Sequence, residues 1–241
     1  MNPIVRLVFF NPIMHHNVWA LRRYVRRVSK MVGENKSIVD IGAGECQYKP
    51  FFSHAKYVST DWGGTTDHHQ YSAGIDFICS ADNLPFDNAT FDYVLCTQVL
   101  EHVTKPVDSF REISRILKPD GLLFLTVPQT WEEHEQPYDF YRYTQFVLKD
   151  LAKENDLEIV EIKPQGGRFL VIGYFLSWSI PFVLKGWFGK PGFLIGVTLF
   201  YPLNFLIALF FFLIDPLDRK KELTLNYDCI FRRKRSVNSK P

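Results

Sequence analysis

The feature that most constrains the fold is a series of short strand-forming runs between residues 37 and 128. The runs are SIVDIGAG, AKYVSTDW, IDFICSADNLPF, FDYVLCTQVLEHV and LLFLTVP. A helix, KPVDSFREISRILKPDG, precedes the last of them, with Pro106 near its start and Gly121 just past its end, as helices prefer. Strands that alternate with helices predict an α/β fold, in which helices cover both faces of a mostly parallel sheet.

Three more regular segments complete the predicted organisation. An amphipathic helix is expected over residues 17–32, a helix over residues 144–156, and strands at LEIVEIKP and LTLNYDCIFRRK. The predicted regions are an N-terminal amphipathic helical region at 1–36, an α/β core at 37–165, an apolar insertion at 166–218, and a last strand with a basic tail at 219–241.

The insertion contains two charge-free runs, residues 169–184 and 192–214, separated by a segment that carries Lys185 and Lys190. The second run has 23 residues, more than the roughly 18–20 that cross a bilayer. The first has 16 residues, about 24 Å of helix. We expect a membrane hairpin with one long helix and one short, re-entrant or interfacial helix. A very apolar core subdomain is the alternative.

The charge distribution indicates which partners to expect. The chain has 28 Lys+Arg and 26 Asp+Glu, a net charge of +2, which does not indicate a nucleic-acid-binding protein. Basic residues cluster in RRYVRR, DRKK and FRRKR, a pattern that suits either an anionic membrane surface or solvated faces and tails. The basic residues that flank the hairpin favour a cytoplasmic location for the rest of the protein.

The loop DIGAGECQY follows the first predicted strand and carries Gly42 and Gly44. Two closely spaced glycines let the backbone turn tightly and approach a ligand. A dinucleotide fingerprint would need a third glycine at position 47, where Gln47 stands. Asp40 instead suits a cationic or hydroxyl-rich ligand, and a structural tight turn is the alternative.

Polar residues also end the next three strands. Asp61 closes the second strand, in a position to accept hydrogen bonds from ribose hydroxyls. Asp82 follows the third strand, where it can accept from an adenine amino group, and His102 follows the fourth. Because the carboxyl ends of parallel strands meet at one edge of a sheet, we expect these side chains to gather there.

The segments VDIGAGECQY, STDW, ADNLPFDNATFDYVLCTQVLEHV and ILKPDGLLFLTVP together resemble the ordered signatures of class I S-adenosylmethionine-dependent methyltransferases. The chain is most similar to the small-molecule branch that includes the ubiquinone and menaquinone biosynthesis methyltransferases. The resemblance implies a seven-stranded Rossmann-like sheet with an antiparallel last strand. It also implies S-adenosyl-L-methionine as cofactor and methyl transfer to a small-molecule or lipid-linked acceptor.

The resemblance implies roles for individual residues. The expected cofactor-binding residues are Asp40, Gly42, Gly44, Asp61, Asp82, Asn83, Leu84 and Gln98. The two glycines would pass under the methionine part of the cofactor, Asp61 would bind the ribose, and Asp82 would flank the adenine. Cys46 stands where many relatives carry a third glycine, which leaves the geometry of the loop open.

The acceptor is expected beside WEEHEQPYDFYRYT, residues 131–144, which follows the fifth strand. The substrate-binding candidates are Trp131, Tyr138, Arg142 and Tyr143, and the catalytic candidates are His102, His134 and Tyr141. His102 is the first candidate for a general base, needed only if the acceptor must lose a proton. A hydrogen-bonded structural histidine and a packed connecting loop are the alternatives.

No metal site is predicted, because the adjacent pairs His15/His16 and His68/His69 have no partners at ligand spacing. In the family's fold the insertion would leave the sheet at the cofactor edge, which suggests an acceptor delivered from the lipid phase. Two other functions stay open: a non-catalytic, cofactor-binding membrane scaffold and, with less support, a nicotinamide oxidoreductase. The sequence indicates neither the oligomeric state nor the methylated atom.

Overall fold

The computed structural model describes residues 11–64 and 74–235. The chain forms two compact units, one made of Met1–Arg22 with Pro164–Asn226 and the other of Arg23–Lys163 with Tyr227–Pro241. The pair His68/His69 lies outside the described residues, as do the ends of the predicted regions 1–36 and 219–241.

The larger unit is built on a sheet of seven strands. They are β1 (Ser37–Ile41), β2 (Lys56–Asp61), β3 (Phe77–Ile78), β4 (Phe91–Thr97), β5 (Leu117–Pro128), β6 (Leu157–Pro164) and β7 (Asn226–Arg233). Their order across the sheet is β3-β2-β1-β4-β5-β7-β6. The first five strands pair in parallel, and β7 runs antiparallel between β5 and β6. The predicted Rossmann-like fold with an antiparallel last strand is therefore confirmed.

The helices of the described residues are α1 (His16–Ser29), α2 (Pro106–Ile116), α3 (Gln145–Glu154) and α4 (Arg168–Ile214). The central strands show why the sheet needs cover on both faces. Val94 and Leu95 are adjacent in β4 and point to opposite faces, and both are fully buried, as are Leu123 and Phe124 in β5. Strands buried on both faces read as continuous apolar runs, which is the pattern of LLFLTVP.

Two strands differ in length from the sequence pattern. β3 forms only at Phe77–Ile78, and both of its residues are exposed, because this strand lies at the edge of the sheet. β5 begins earlier than the run LLFLTVP, since Leu117 already pairs with Phe91 before the register shifts between Phe91 and Tyr93.

The order of the strands defines where a ligand binds. The connection from β1 leads to β2 on one side, whereas β4 and β5 lie on the other side of β1. Open α/β sheets bind ligands at such a reversal, beyond the carboxyl ends of the strands. The loops that follow β1 and β4 flank this point.

The smaller unit contains α4, which is a helical hairpin. Gly189 has φ 64 and ψ −150 and interrupts the helix, so that residues 168–188 and 190–214 form two arms. The arms pack antiparallel: a Cβ on Gly173 would collide with Phe211, and one on Gly196 would lie 2.7 Å from the Cα of Pro181. The first arm is longer than the charge-free run, because Arg168 and residues 185–188 continue the helix.

Many apolar side chains of α4 are exposed on the surface. Within the described residues, Arg168–Leu217 is the one helix long and apolar enough to cross a membrane, and only 17% of its most apolar window is buried. The exposed apolar side chains include Leu176, Phe182, Leu199, Leu206 and Phe210. A small cluster that includes Met14, Trp178 and Val197 forms the interior of the unit.

Candidate active site

The loop after β1 is shaped by residues with positive φ. Gly42, Gly44 and Cys46 have φ values of 69, 54 and 54, and the N–H groups of Gly42 and Ala43 both donate to the carbonyl of Thr60, at 2.9 and 3.0 Å. A side chain at Gly42 would collide with Val99, which lies in the loop after β4. Glycine at 42 therefore allows the loops after β1 and β4, which flank the reversal in strand order, to touch.

Asp40 lies at the base of this loop with 1% of its surface exposed. The Tyr57 hydroxyl donates to its Oδ2 at 2.5 Å, whereas its Oδ1 has no hydrogen-bond partner among the described residues. Burial raises the pKa of Asp40 to about 7, against the hydrogen bond from Tyr57, which lowers it. The carboxyl is therefore balanced between its two protonation states near neutral pH.

Asp61, at the end of β2, holds the glycine loop. Its Oδ2 accepts from the N–H of Gly44 at 2.9 Å, and its Oδ1 accepts from the N–H of Trp62 at 2.8 Å. Burial raises the pKa of Asp61 although both backbone hydrogen bonds lower it. A carboxylate has about four acceptor positions, so two remain for ligand hydroxyls.

The other predicted cofactor residues lie on loops at the same edge. Asp82 is half-buried and accepts a hydrogen bond from the Ser80 hydroxyl, and Leu84 is buried with its N–H donating to Glu112 at 2.9 Å. Asn83, between them, is exposed. Gln98, just after β4, has φ 55 and donates from its side chain to the Thr126 hydroxyl at 3.1 Å.

His102 ends a short 3₁₀ turn, Leu100–His102, in the loop after β4. Its Nδ1 lies 2.7 Å from the carbonyl of Tyr138. A carbonyl only accepts, so Nδ1 carries the proton and the neutral ring keeps its lone pair on Nε2. Burial lowers the pKa of His102, with a further contribution from His134, which favours the neutral ring at physiological pH.

Residues 131–144 form a loop that is held together by one ion pair. Arg142 donates to both carboxylate oxygens of Asp139, at 2.6 and 2.7 Å, and to the carbonyls of Trp131, Glu132 and Tyr141. Burial opposes ionisation of Asp139, but the bonds from Arg142 and the His134 N–H lower its pKa to about 2. The predicted role of Arg142 in acceptor binding stays a prediction, since all these contacts are internal.

The catalytic candidate His134 faces His102. Their rings meet edge to face with centroids 4.8 Å apart. Nδ1 of His134 lies 3.1 Å from Asp139 Oδ2 and 3.2 Å from the carbonyl of Glu132. The structure therefore brings together two histidines that are 32 positions apart in the sequence.

The tyrosines of the loop have different environments. Tyr143 is buried and donates to the carbonyl of Leu100 at 2.7 Å, whereas Tyr141 is 38% exposed and donates to the carbonyl of Thr104 at 3.2 Å. Tyr138 meets Trp62 edge to face at 4.8 Å. The loop after β2 and the loop after β5 thus share an aromatic contact, and Tyr141 is the more accessible of the two hydrogen-bonded tyrosines.

Glu101 lies beside His102 and has no exposed surface. Neither carboxylate oxygen has a hydrogen-bond partner among the described residues, and the nearer one is 3.9 Å from His102 Nε2. Burial raises the pKa of Glu101 to about 8. The backbone carbonyl of Glu101 accepts from Phe140 and Tyr141, at 2.8 and 3.2 Å, and so ties the loop after β4 to residues 131–144.

Several residues of the site were not predicted. Tyr57 and Trp62 support Asp40 and Tyr138, Val99 packs where Gly42 has no side chain, and Asp139 anchors Arg142. Asp139 is the one with a sequence signal, because it is an acidic residue three positions before an arginine in a polar, aromatic loop. The others pair across strands and loops, and no local pattern predicts such contacts.

Comparisons with known proteins agree with this architecture. Residues 39–125 match the sequence model of the methyltransferase domain family. The chain is 33% identical over 67 residues to a ubiquinone/menaquinone biosynthesis C-methyltransferase of Ralstonia pickettii, covering 27% of this chain and 28% of that protein. It is 28% identical over 138 residues to a ubiquinone biosynthesis O-methyltransferase of Burkholderia multivorans, covering 46% and 60%. The chain thus spans less than two thirds of either relative.

A solved structure extends the likeness across most of the chain. The 1,6-didemethyltoxoflavin-N1-methyltransferase of Burkholderia thailandensis, which was solved with S-adenosylhomocysteine, superposes with a TM-score of 0.54 at 14% identity. The match covers 96% of this chain and 88% of that one. At this identity the likeness concerns the fold, whereas the sequence match concerns the segment that carries the glycine loop, Asp61 and the 3₁₀ turn. Residues 39–125 therefore match the methyltransferase domain family, and the chain as a whole resembles class I S-adenosylmethionine-dependent methyltransferases in its fold.

Proposed function

We propose that the protein binds S-adenosyl-L-methionine at the loops after β1 and β2 and transfers its methyl group to a small-molecule acceptor at a membrane surface. The observation that carries this proposal is the joint arrangement of Asp40, the two glycines and Asp61. The acidic residue that closes β2 directly supports the glycine loop, so one continuous structure is available to bind a nucleoside with an amino-acid part.

The residues present fit this cofactor. Its amino-acid part carries an ammonium group, and one buried carboxylate oxygen of Asp40 has no hydrogen-bond partner in the part of the chain that the structure describes. Its ribose carries hydroxyl donors, and Asp61 keeps free acceptor positions. Gly42 leaves no room for a side chain, so that the backbone itself forms the surface of the loop.

The cofactor, when bound, supplies a methyl group already activated on a sulfonium. The protein therefore chiefly has to position the acceptor and exclude water. The aromatic pair Trp62 and Tyr138 and the packed loop at residues 131–144 serve that purpose. His102 accepts the proton through Nε2 when the acceptor is a hydroxyl, because its Nδ1 is fixed on the Tyr138 carbonyl.

We assign the remaining candidates to residues that hold the loop, residues that meet the acceptor and residues that meet the cofactor. Tyr143 and Arg142 hold the loop in place, whereas Trp131, Tyr138 and the accessible Tyr141 face the acceptor. The ring of His134 packs edge to face with that of His102, so both histidines lie beside the acceptor. In the adenine region, Asp82 accepts from the amino group and Leu84 packs against the ring, with Asn83 at its margin. Gln98, just after β4, lies near the methionine part of the cofactor.

We infer that the hairpin α4 is embedded in a membrane, with the catalytic unit on the cytoplasmic side. Its arms of 21 and 25 residues, residues 168–188 and 190–214, are about 31 and 37 Å long, so each can cross the roughly 30 Å hydrocarbon core. The serine and threonine hydroxyls inside the arms bond to their own helix, as Ser179 does to the Phe175 carbonyl at 2.6 Å. A chain with such an anchor is suited to a lipid-linked acceptor.

A calorimetric titration and a turnover assay test this proposal against its alternatives. Calorimetry with the full chain in detergent should show binding of S-adenosylmethionine and S-adenosylhomocysteine and no binding of a nicotinamide dinucleotide. Formation of S-adenosylhomocysteine in the presence of membrane extract then separates an enzyme from a non-catalytic scaffold. A folded chain that binds neither sulfur nucleoside would refute the cofactor assignment, and binding without turnover would favour the scaffold.

A further inference from the structure

We propose that Glu101, His102 and His134 form a binding site for one divalent transition-metal ion of the zinc class. One ligand atom from each of the three side chains lies within 4.8 Å of the others. Two of these residues end the 3₁₀ turn after β4, and the third lies in the loop after β5. The proposal goes beyond methyl transfer and does not depend on it.

The orientation of both histidines suits metal binding. Nδ1 of His102 donates to the Tyr138 carbonyl, and Nδ1 of His134 faces Asp139 Oδ2 and the Glu132 carbonyl. No hydrogen bond to Nε2 of either ring occurs within residues 11–64 and 74–235. A metal-binding histidine characteristically donates its other ring N–H to a carboxylate or a carbonyl, which fixes the ring and makes the ligand more basic.

Glu101 supplies an independent observation that points to a cation as ligand. Its carboxyl group is completely buried, and neither oxygen has a partner among the described residues. The nearby guanidinium of Arg142 does not serve it, because Arg142 is bound to Asp139 and to three carbonyls. A buried carboxyl without a partner costs free energy, and coordination to a metal removes that cost.

The ligand set indicates which ion the site would hold. Two imidazoles and one carboxylate form the donor set of catalytic zinc sites and of related sites for other first-row metals. Such sites keep a further position open for water or a substrate oxygen. Tetrahedral ligands about 2.0–2.1 Å from zinc lie roughly 3.4 Å apart, so binding would draw these side chains together by at most about 1.4 Å.

A bound ion would change how the acceptor is activated. An acceptor hydroxyl that occupies the open coordination position of the metal would have a lowered pKa. Nε2 of His102 has one lone pair, so it either binds the metal or accepts the proton of the acceptor. Titration with Co²⁺ therefore also decides between these two roles of His102.

The test uses Co²⁺ as a spectroscopic probe. The full chain, purified in detergent with any histidine tag removed and stripped with a chelator, is titrated with Co²⁺ while visible absorption is recorded. We expect one equivalent to bind with the intense bands of a four- or five-coordinate site, and Zn²⁺ to displace it. His134→Ala and Glu101→Gln should each weaken binding at least tenfold.

Glu133→Gln is the matched control, because it removes an exposed carboxylate from the same loop, and it should change the affinity less than twofold. Thermal unfolding and S-adenosylmethionine binding show that each variant is folded. The proposal is overturned if the folded wild type gives no stoichiometric Co²⁺ spectrum, or if both site variants bind as tightly as the wild type. Failure of cofactor binding with an intact Co²⁺ site would instead refute the proposed function.

Discussion

The Asp61 carboxylate accepts a hydrogen bond from the backbone N–H of Gly44 at 2.9 Å, so the acidic residue that ends β2 fixes the glycine loop that follows β1. A second bond, from the N–H of Trp62, orients the carboxylate. One side chain thus shapes the loop and presents acceptors to a ligand. The two motifs act as one unit although they are 17 positions apart.

Replacement of Asp61 should therefore affect both stability and binding. In Asp61→Ala two backbone donors lose their acceptor, which should lower the free energy of unfolding by about 1–3 kcal/mol. The affinity for S-adenosylmethionine should fall tenfold or more, measured by calorimetry at a temperature where the variant is folded. Asp87→Asn, at an exposed position, should change neither quantity, and unaltered cofactor affinity in Asp61→Ala would count against the assigned role.

Cys46 should be a site of stored conformational strain. Its φ of 54 lies in the left-handed region, which costs a residue with a side chain about 1–2 kcal/mol. Cys46→Gly should raise the free energy of unfolding by about 1 kcal/mol, while Cys46→Ala, which keeps a Cβ, should not. Urea denaturation compares the three proteins, and equal effects of glycine and alanine would show that backbone strain is not the cause.

The buried Asp40 should make the stability of the cofactor-free protein depend on pH. Its pKa is raised from an ordinary value near 4 to about 7, so the folded state holds a proton that the unfolded state releases. Its contribution to stability is therefore present below pH 4 and is lost as the pH rises from about 4 to 7.

In Asp40→Asn this loss should disappear, while the Tyr57 hydroxyl keeps an acceptor. Thermal unfolding of both proteins between pH 4 and 8 measures the difference, with Asp87→Asn as control. Curves of equal slope for Asp40→Asn and the wild type would be inconsistent with a proton held on Asp40. In the wild type, the affinity for S-adenosylmethionine should increase over the same range, because its ammonium group pairs with the ionised carboxylate.

The hairpin makes a separate prediction about membranes. Leu206 is 60% exposed on the second arm of α4. A lysine at the centre of a membrane helix costs about 2.5–3.5 kcal/mol, so Leu206→Lys should reduce partitioning into liposomes roughly 100-fold. Phe146→Lys, at a 69% exposed position on α3, is the control and should partition like the wild type. Partitioning is measured by flotation of the protein with liposomes. Equal flotation of the two variants would exclude insertion of this arm.

The sequence predicted the parts of the fold that local patterns control. The buried strands, α2 with its terminal proline and glycine, and the positions of Asp40, Asp61 and His102 at strand ends all follow from short-range periodicity. The extent of β3 did not follow, because the pairing of an edge strand depends on one neighbour only. The two arms of α4 were predicted from composition, but the length of the first arm was underestimated, since charged and glycine residues near its end remain helical.

The fine structure of the site was less accessible from the sequence. The contact of His102 with His134 and the isolation of the Glu101 carboxyl depend on how residues 131–144 fold back onto the loop after β4. That path is set by the pairing of Arg142 with Asp139 and by backbone bonds to the Glu101 carbonyl. Such long-range contacts have no periodic signature, and therefore no sequence pattern indicates a metal-ligand cluster there.

Methyl transfer to a lipid acceptor is measured directly by following an isotopically labelled methyl group from S-adenosylmethionine in the presence of the full chain. The chain is incubated with a membrane lipid extract and, separately, with a water-soluble extract, and the labelled products are identified by mass spectrometry. We expect one labelled product in the lipid extract, formed together with S-adenosylhomocysteine and absent with Asp61→Ala. A folded, cofactor-binding protein that labels nothing in either extract would contradict the proposed function.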